Sequence, residues 1–280
     1  MVVRPGAGGR GMSVTSLISA AYSASAAAWA EGPARVYDRL ADVLVARSPI
    51  PISGRLVLDL GSGTGAATRA LQARGARVLA VDAAAGMVAA GPAPGVVADA
   101  RRLPFPGEAF DAVVAAFCLN HVDPPAEGLL EAHRVTARGG AVIASSYGNE
   151  PDHPVKAAVL DALVSAGYAL PPWYDAIQSG PVTALSTPAG MAAAALEAGL
   201  EARVDAFDVA FPELGAADLV SWRLGMAQNA PFVARLSPAE RRAVTERALH
   251  ALGDPPTLVR RVVVLTAVVL SPPRPARRGL

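Results

Sequence analysis

Two residue types are almost missing from this 280-residue chain, which has one cysteine, Cys118, and one lysine, Lys156. A lone thiol in an apolar stretch cannot build an internal disulfide framework, so a reducing, cytoplasmic setting is expected. Aromatic residues are scarce at 5%. Neither sign of charge dominates: 25 basic and 24 acidic residues leave a net charge of +1. That balance, without a basic stripe, argues against nucleic acid as a partner. The basic side is nearly all arginine, which reads as the codon bias of a GC-rich genome. No unbroken apolar run of about 18 residues occurs, so no transmembrane helix and no membrane partner are expected. The acids and histidines are not set at ligand spacing, so no metal is expected either. Arg4 and Arg10 ahead of an alanine-rich stretch have the layout of a signal peptide, but interrupting serines and an alanine core argue against one.

What the chain does contain is Val57-Leu58-Asp59-Leu60-Gly61-Ser62-Gly63-Thr64-Gly65. An apolar run carrying one acid reads as a buried strand. Three alternate glycines follow, then a helical pattern over 66–74 that Gly75 stops. Strand, glycine loop and helix form the opening unit of a nucleotide-binding α/β sheet. Glycine permits φ > 0 in the turn and lets a ligand lie against the backbone. Gly61-x-Gly63-x-x-Ala66 also satisfies the dinucleotide fingerprint, so an NAD(P)-dependent oxidoreductase is a competing reading. Four features point elsewhere. Asp59 stands near the strand's carboxyl end, placed to accept from an ammonium group. Gly65 adds a third alternate glycine. Asp99 follows a later strand, and Phe110-Asp111-Ala112-Val113-Val114 opens a fourth. Asp82 ends a second strand where ribose-binding acids stand, and one carboxylate can accept both ribose hydroxyls. A short-chain dehydrogenase would use a Tyr-x-x-x-Lys pair, whereas Lys156 has Asp152 four residues before it.

With VLDLGSGTG (57–65), VLAVDAAAGM (78–87), VVADARRLPF (96–105), FDAVVAAFCLNHV (110–122) and EAHRVTARGGAVIASS (131–146) in order, the chain resembles the class I S-adenosylmethionine (SAM) dependent methyltransferases, most of all the branch acting on small molecules. The resemblance implies a Rossmann-like, doubly wound, seven-stranded α/β sheet with helices on both faces. It also implies an N-terminal helical flap over 13–50 and helical cap insertions over 147–200 and 212–255. Residues 13–270 would form the methyltransferase domain, between a disordered N-terminus (1–12) and a mobile tail (271–280). The implied cofactor is SAM, with S-adenosylhomocysteine as product. Its site would comprise Asp59, Gly61, Ser62, Gly63, Gly65, Asp82, Ala83, Met87, Asp99, Ala100 and Phe117. Asp99 and the Ala100 N–H would read the adenine, and Phe117 would face the sulfonium, a cation that aromatic faces attract.

A base is needed only if the acceptor must lose a proton. His121, just past the fourth strand, is the histidine best placed for that. Tyr22 in the flap is the second candidate, with Tyr147, Asp152 and His153 further ones. Trp29 reads as core. Trp173, Tyr174, Trp222, Met226 and Phe232 suggest an apolar cap, hence an apolar or aromatic small acceptor. The partner is then a small molecule and the protein a monomer or homodimer. A SAM-binding protein that does not methylate, cyclase-like or a scaffold, is the other reading.

Overall fold

The computed structural model describes residues 13–149 and 152–270. The expectations for 1–12 and 271–280 lie outside the described residues. Seven strands form one sheet: β1 (Leu56–Leu60), β2 (Arg77–Asp82), β3 (Gly95–Val97), β4 (Phe110–Ala116), β5 (Thr136–Tyr147), β6 (Ala202–Phe211) and β7 (Leu258–Val268). The helices are α1 (Val14–Glu31), α2 (Ala34–Val45), α3 (Ala66–Gln72), α4 (Ala85–Ala90), α5 (Pro125–Val135), α6 (Val155–Ser165), α7 (Pro172–Ile177), α8 (Pro188–Glu197), α9 (Ala216–Leu224), α10 (Ala230–Val233) and α11 (Pro238–Leu252).

The sheet order is β3-β2-β1-β4-β5-β7-β6. Strands β1 to β5 run parallel, and β7 is antiparallel to both of its neighbours. The order runs outward from β1 in one direction and from β4 in the other. The carboxyl ends of β1 and β4 therefore flank the crevice where such sheets bind ligands. The doubly wound, seven-stranded α/β fold expected from the sequence is the one observed.

Alternation along the buried strands supplies both faces of the core. Val57, Val114, Ile143, Val262 and Val264 point into a cluster with Leu40, Leu44, Leu71, Val159, Leu163, Val220 and Ala248. That layer is α2, α3, α6, α9 and α11. Leu58, Leu60, Val113, Val142 and Leu265 face the other way, onto Leu129 and Ala132 of α5 and Met191 and Ala195 of α8. A third cluster sits over the carboxyl edge: Ile18 and Trp29 of α1, Met87 of α4, Trp173 and Ile177 of α7, and Ala227.

The expected cap intervals are thus divided. Helices α6, α9 and α11 belong to the packed face layer, because their apolar stripes are needed to bury one side of the sheet. The cover over the crevice is α1, α7 and the turn after α9. Sequence periodicity misses α7, which is six residues long and too short to show a helical repeat. Helix α9 ends at Leu224. There Gly225 meets α1 so closely that a Cβ would lie 2.5 Å from Pro33 Cδ and 2.7 Å from the Ala28 carbonyl oxygen. Strand β5 follows α5 without a loop, taking in Gly139 and Gly140.

Candidate functional site

Two adjoining cavities open at the carboxyl ends of β1 and β4. The first, about 150 Å³, is lined by the glycine loop, Asp59, Asp82, Met87, Asp99, Arg101, Phe117 and the inner face of α1. The second, about 300 Å³, lies towards α7, the end of α9 and β7. Tyr22, Tyr37 and His121 line both.

Gly61, Gly63 and Gly65 all take positive φ, at 68°, 52° and 90°. Only Gly63 is open: a Cβ there would meet nothing within 4 Å. At Gly61 a Cβ would fall 2.1 Å from Cys118 Cβ, so this glycine serves the packing of the loop on the end of β4. Burial pushes the Cys118 thiol up, which leaves it protonated and inert.

Asp59 is fully buried. Its Oδ2 accepts the Thr68 hydroxyl at 2.6 Å, while Oδ1 has no partner. Burial is the main cause that holds its pKa up to about 6. Asp82 accepts the Gly63 N–H on Oδ2 and the Ala84 N–H on Oδ1, both at 2.8 Å. It therefore braces the glycine loop as well as the start of α4, and burial raises its pKa. Ser62, Ala83 and Ala100 line the same cavity, and Met87 is wholly buried in its wall. Asp99 is gripped by Arg101, whose Nη2 lies 2.7 Å from Oδ2 and whose Nε lies 3.1 Å from Oδ1. That pairing lowers the Asp99 pKa. Arg101 Nη2 also reaches Thr15 Oγ1 at 3.4 Å, linking this end of the cavity to α1.

The wall between the cavities is aromatic. Tyr22 packs on Trp29 with ring centroids 5.4 Å apart, and Trp29 on Tyr37 at 4.9 Å. Phe117 stands edge-on to Tyr37 at 5.7 Å and lies 4.6 Å from Tyr147. Phe117 takes φ 55°, unusual for a bulky residue, where the chain leaves β4. Trp29 is buried as expected of a core residue, yet it also lines the first cavity. Tyr22 OH lies 3.0 Å from His121 Nε2, joining α1 to the end of β4 across 99 positions of sequence. Burial depresses the His121 pKa to about 4, so its imidazole is neutral at pH 7, while burial raises that of Tyr22.

The other candidate bases separate. Tyr147 lines the second cavity. Asp152 pairs with Lys156, and His153 Nε2 is 2.9 Å from the Pro256 carbonyl. Neither Asp152 nor His153 lines a cavity. Trp173, Tyr174, Trp222 and Met226 do line the second one, but Phe232 does not. It packs instead on Tyr168 at 5.2 Å. Nor is the wall uniformly apolar, since Asn120, Ser146, Asn149, Arg223, Gln228 and Arg260 share it. Sequence reasoning did not assign a site role to these six, nor to Arg101 or Tyr37. Arg101, two residues from Asp99, was the one with a local signal. Among the described residues no cluster of ligating side chains fit for a metal ion occurs, and no helix is long and apolar enough to cross a membrane.

A mostly parallel sheet with a glycine loop after its first strand, two acids at successive strand ends and a cavity across the switch point define a Rossmann-like protein built for a nucleoside-containing cofactor. Residues 58–144 match the model of the methyltransferase domain family. The demethylmenaquinone methyltransferase of Mycolicibacterium paratuberculosis is 36% identical over 165 residues, 54% of this chain and 70% of that protein. That of Clavibacter sepedonicus is 38% identical over 122 residues, 41% of this chain and 50% of that protein, so the chain spans about half the length of this curated relative. The solved structure of Haemonchus contortus phosphoethanolamine N-methyltransferase 2 in complex with S-adenosyl-L-methionine matches with a TM-score of 0.51. It covers 82% of this chain and 52% of that one at 18% identity, a likeness of fold. The chain belongs to the class I SAM-dependent methyltransferases.

The first cavity fits the family's cofactor on two observations. Asp59 offers an unpartnered, buried carboxylate oxygen, and Gly63 leaves open the space that a side chain would fill.

Proposed function

We propose that this protein transfers a methyl group from SAM to an oxygen, nitrogen or carbon nucleophile of a small metabolite seated in the second cavity. The observation that carries this reading is the shared wall: Tyr22, Tyr37 and His121 line both cavities, so a donor in one and an acceptor in the other meet beside a neutral imidazole. SAM supplies a methyl group already activated by its sulfonium. What the chain must add is alignment, which is worth roughly 7–11 kcal/mol of such a barrier.

In this reading Asp59 Oδ1 accepts from the cofactor's ammonium group, and Gly61, Ser62, Gly63 and Gly65 carry its amino-acid arm. The remaining lone pairs of Asp82 accept the ribose hydroxyls. Ala83 and Met87 flank the nucleoside, and Asp99 and the Ala100 N–H read the adenine. Phe117 and Tyr37 present aromatic surface to the sulfonium. When the acceptor must lose a proton, it goes to the Tyr22 hydroxyl as that hydroxyl passes its own proton to His121 Nε2, 3.0 Å away. The partner is a small molecule rather than nucleic acid, and the protein works as a monomer or homodimer in the cytoplasm.

Calorimetric titration with SAM, S-adenosylhomocysteine and NAD⁺ tests the cofactor half of the reading. Micromolar binding of the first two and none of NAD⁺ is expected; binding of NAD⁺ alone would overturn it. Mass spectrometry of acceptor mixtures then tests the transfer: a methylated product with matching S-adenosylhomocysteine is expected. A product formed without loss of the cofactor's methyl group would make the protein a non-methylating SAM binder.

A further inference from the structure

The second cavity carries an unusual set of groups. Ser146 Oγ, Trp222 Nε1, Arg223 Nε and Gln228 Nε2 are all buried, and none has a hydrogen-bond partner. Ser146, Trp222 and Gln228 are 1%, 2% and 6% exposed. All four line this cavity, and all four donate. A buried donor left without an acceptor destabilises the fold, and more so when it is charged. Four such donors in one wall are therefore poorly served by an apolar occupant.

The charged residues that line this cavity are all basic. Arg223 lies over one side of the Trp222 ring, with Cζ 5.4 Å from the centroid, and Arg260 is 5.6 Å from the same centroid. Arg260 also stacks on Tyr147 at 4.0 Å. Lys156 lines the cavity too and pairs with Asp152, which stands outside the lining. Among the described residues no aspartate or glutamate lines this cavity. His121 and Tyr22 stand where the two cavities meet.

We infer that the methyl acceptor carries a carboxylate, which sits against Arg223, Gln228, Trp222 and Ser146 while its nucleophilic atom points to His121. This rests on the proposed function, since it assigns the acceptor's class within that same site. An anionic oxygen pair supplies acceptors for the guanidinium and the neutral donors together, as a neutral acceptor cannot. The aromatic and aliphatic side chains of Trp173, Ile177 and Met226 leave room beside it for an apolar or aromatic body. The acid anchors one end, and the ring or chain fills the rest.

The test is a set of calorimetric titrations of the protein loaded with S-adenosylhomocysteine. The probes are acetate, benzoate, 4-hydroxybenzoate and indole-3-acetate, each against its neutral amide. At least one acid is expected to bind ten-fold or more tightly than its amide. Arg223→Met should remove that preference and Gln228→Leu should weaken it, both with unchanged affinity for S-adenosylhomocysteine, while Arg223→Lys retains part of it. The inference is overturned if no acid outbinds its amide, or if the preference survives in Arg223→Met. S-adenosylhomocysteine affinity is read in the same experiment without any probe. Its absence would sink the cofactor reading instead, separately from the fate of the carboxylate.

Discussion

The two cavities are built by opposite means. The first is made of backbone and acids: Gly61, Gly63, Asp59, Asp82 and Asp99 come from consecutive strand ends within 59–99. Most of its polar atoms are already engaged, Asp82 with two backbone N–H groups and Asp99 with Arg101. The second is made of side chains scattered along the chain between Tyr22 and Arg260, and four of its donors are left open. A site that every family member must share can be wired into the local chain and braced before its ligand arrives. A site that must suit one acceptor is assembled late, from residues with no fixed spacing.

The sharpest way to break the first cavity is through its backbone. Gly61→Ala puts a Cβ 2.1 Å from Cys118 Cβ at a φ of 68°. The loop cannot hold its course, so SAM binding is expected to vanish from calorimetry and the unfolding temperature to fall. Gly63→Val has open space around it but puts a β-branched residue at a φ of 52°, so it should also abolish binding by filling the cavity, with a loss of stability from backbone strain that stays below that of Gly61→Ala, where strain and clash add. Equal thermal losses in both variants would show that the two glycines do not differ in role.

The shared wall gives the next effect. His121→Ala is expected to lower kcat by about 10²–10⁴-fold, the usual worth of a positioned base, and to spare SAM affinity. Unchanged turnover would remove His121 as the base. Its pKa is depressed to about 4, so the neutral, active form persists as pH falls. At saturating SAM, kcat should stay level from pH 7 to about 5 and drop only through about 4. A limb near 6.5 would mean an imidazole open to water.

Asp59 should respond in the other direction. Its pKa is held up to about 6, so the carboxylate that would meet an ammonium group is lost as pH falls through 6. SAM affinity should weaken there while kcat at saturation does not. The same burial has a stability consequence. The folded-state pKa is raised above the unfolded value of 3.8, so keeping this acid ionised costs the fold about 3 kcal/mol above pH 6. That cost fades as pH drops from 6 towards 4. Asp59→Asn is therefore expected to lose ten- to hundred-fold in SAM affinity yet to raise the unfolding temperature of the cofactor-free protein at pH 7. The gain should disappear near pH 4.

This contrast also explains what could be read without a structure. Val57–Gly65, Asp82 and Asp99 announce themselves because each is a strand end followed by a turn, and local sequence encodes that. The Tyr22–His121 contact was legible only as two separate candidates, since nothing local joins residues 99 positions apart. Arg223 reads in sequence as one more arginine on a helix, where a solvated face is the ordinary expectation. Its place in a wall with Ser146 and Gln228 depends on how α9 ends, and that depends on Gly225 meeting Pro33. The expected apolar cap failed for the same reason. Trp222 and Met226 do face the cavity, but the polar residues between and behind them face it as well.

The smallest effect concerns how the two regions are closed together. Helix α1 lies across the first cavity and also supplies Tyr22 to the second. It is held on α4 and the turn before it: the Ser19 hydroxyl donates to the Ala83 carbonyl at 2.7 Å, and the Gly86 N–H to Ser23 Oγ at 3.2 Å. The approach is tight enough that a Cβ on Gly86 would lie 2.4 Å from the Ser23 carbonyl oxygen. Helix α1 lines the first cavity beside the glycine loop, so its position is expected to set how readily a cofactor enters and leaves. Gly86→Ala pushes α1 outward without touching any residue proposed to contact SAM or the acceptor. It should change SAM affinity only several-fold, speed cofactor release in stopped-flow, and lower kcat because Tyr22 no longer reaches His121. If Gly86→Ala slows turnover and Tyr22→Phe does not, the helix acts through closure alone. If both slow it alike, α1 acts by delivering that hydroxyl, and the two cavities are coupled through one hydrogen bond.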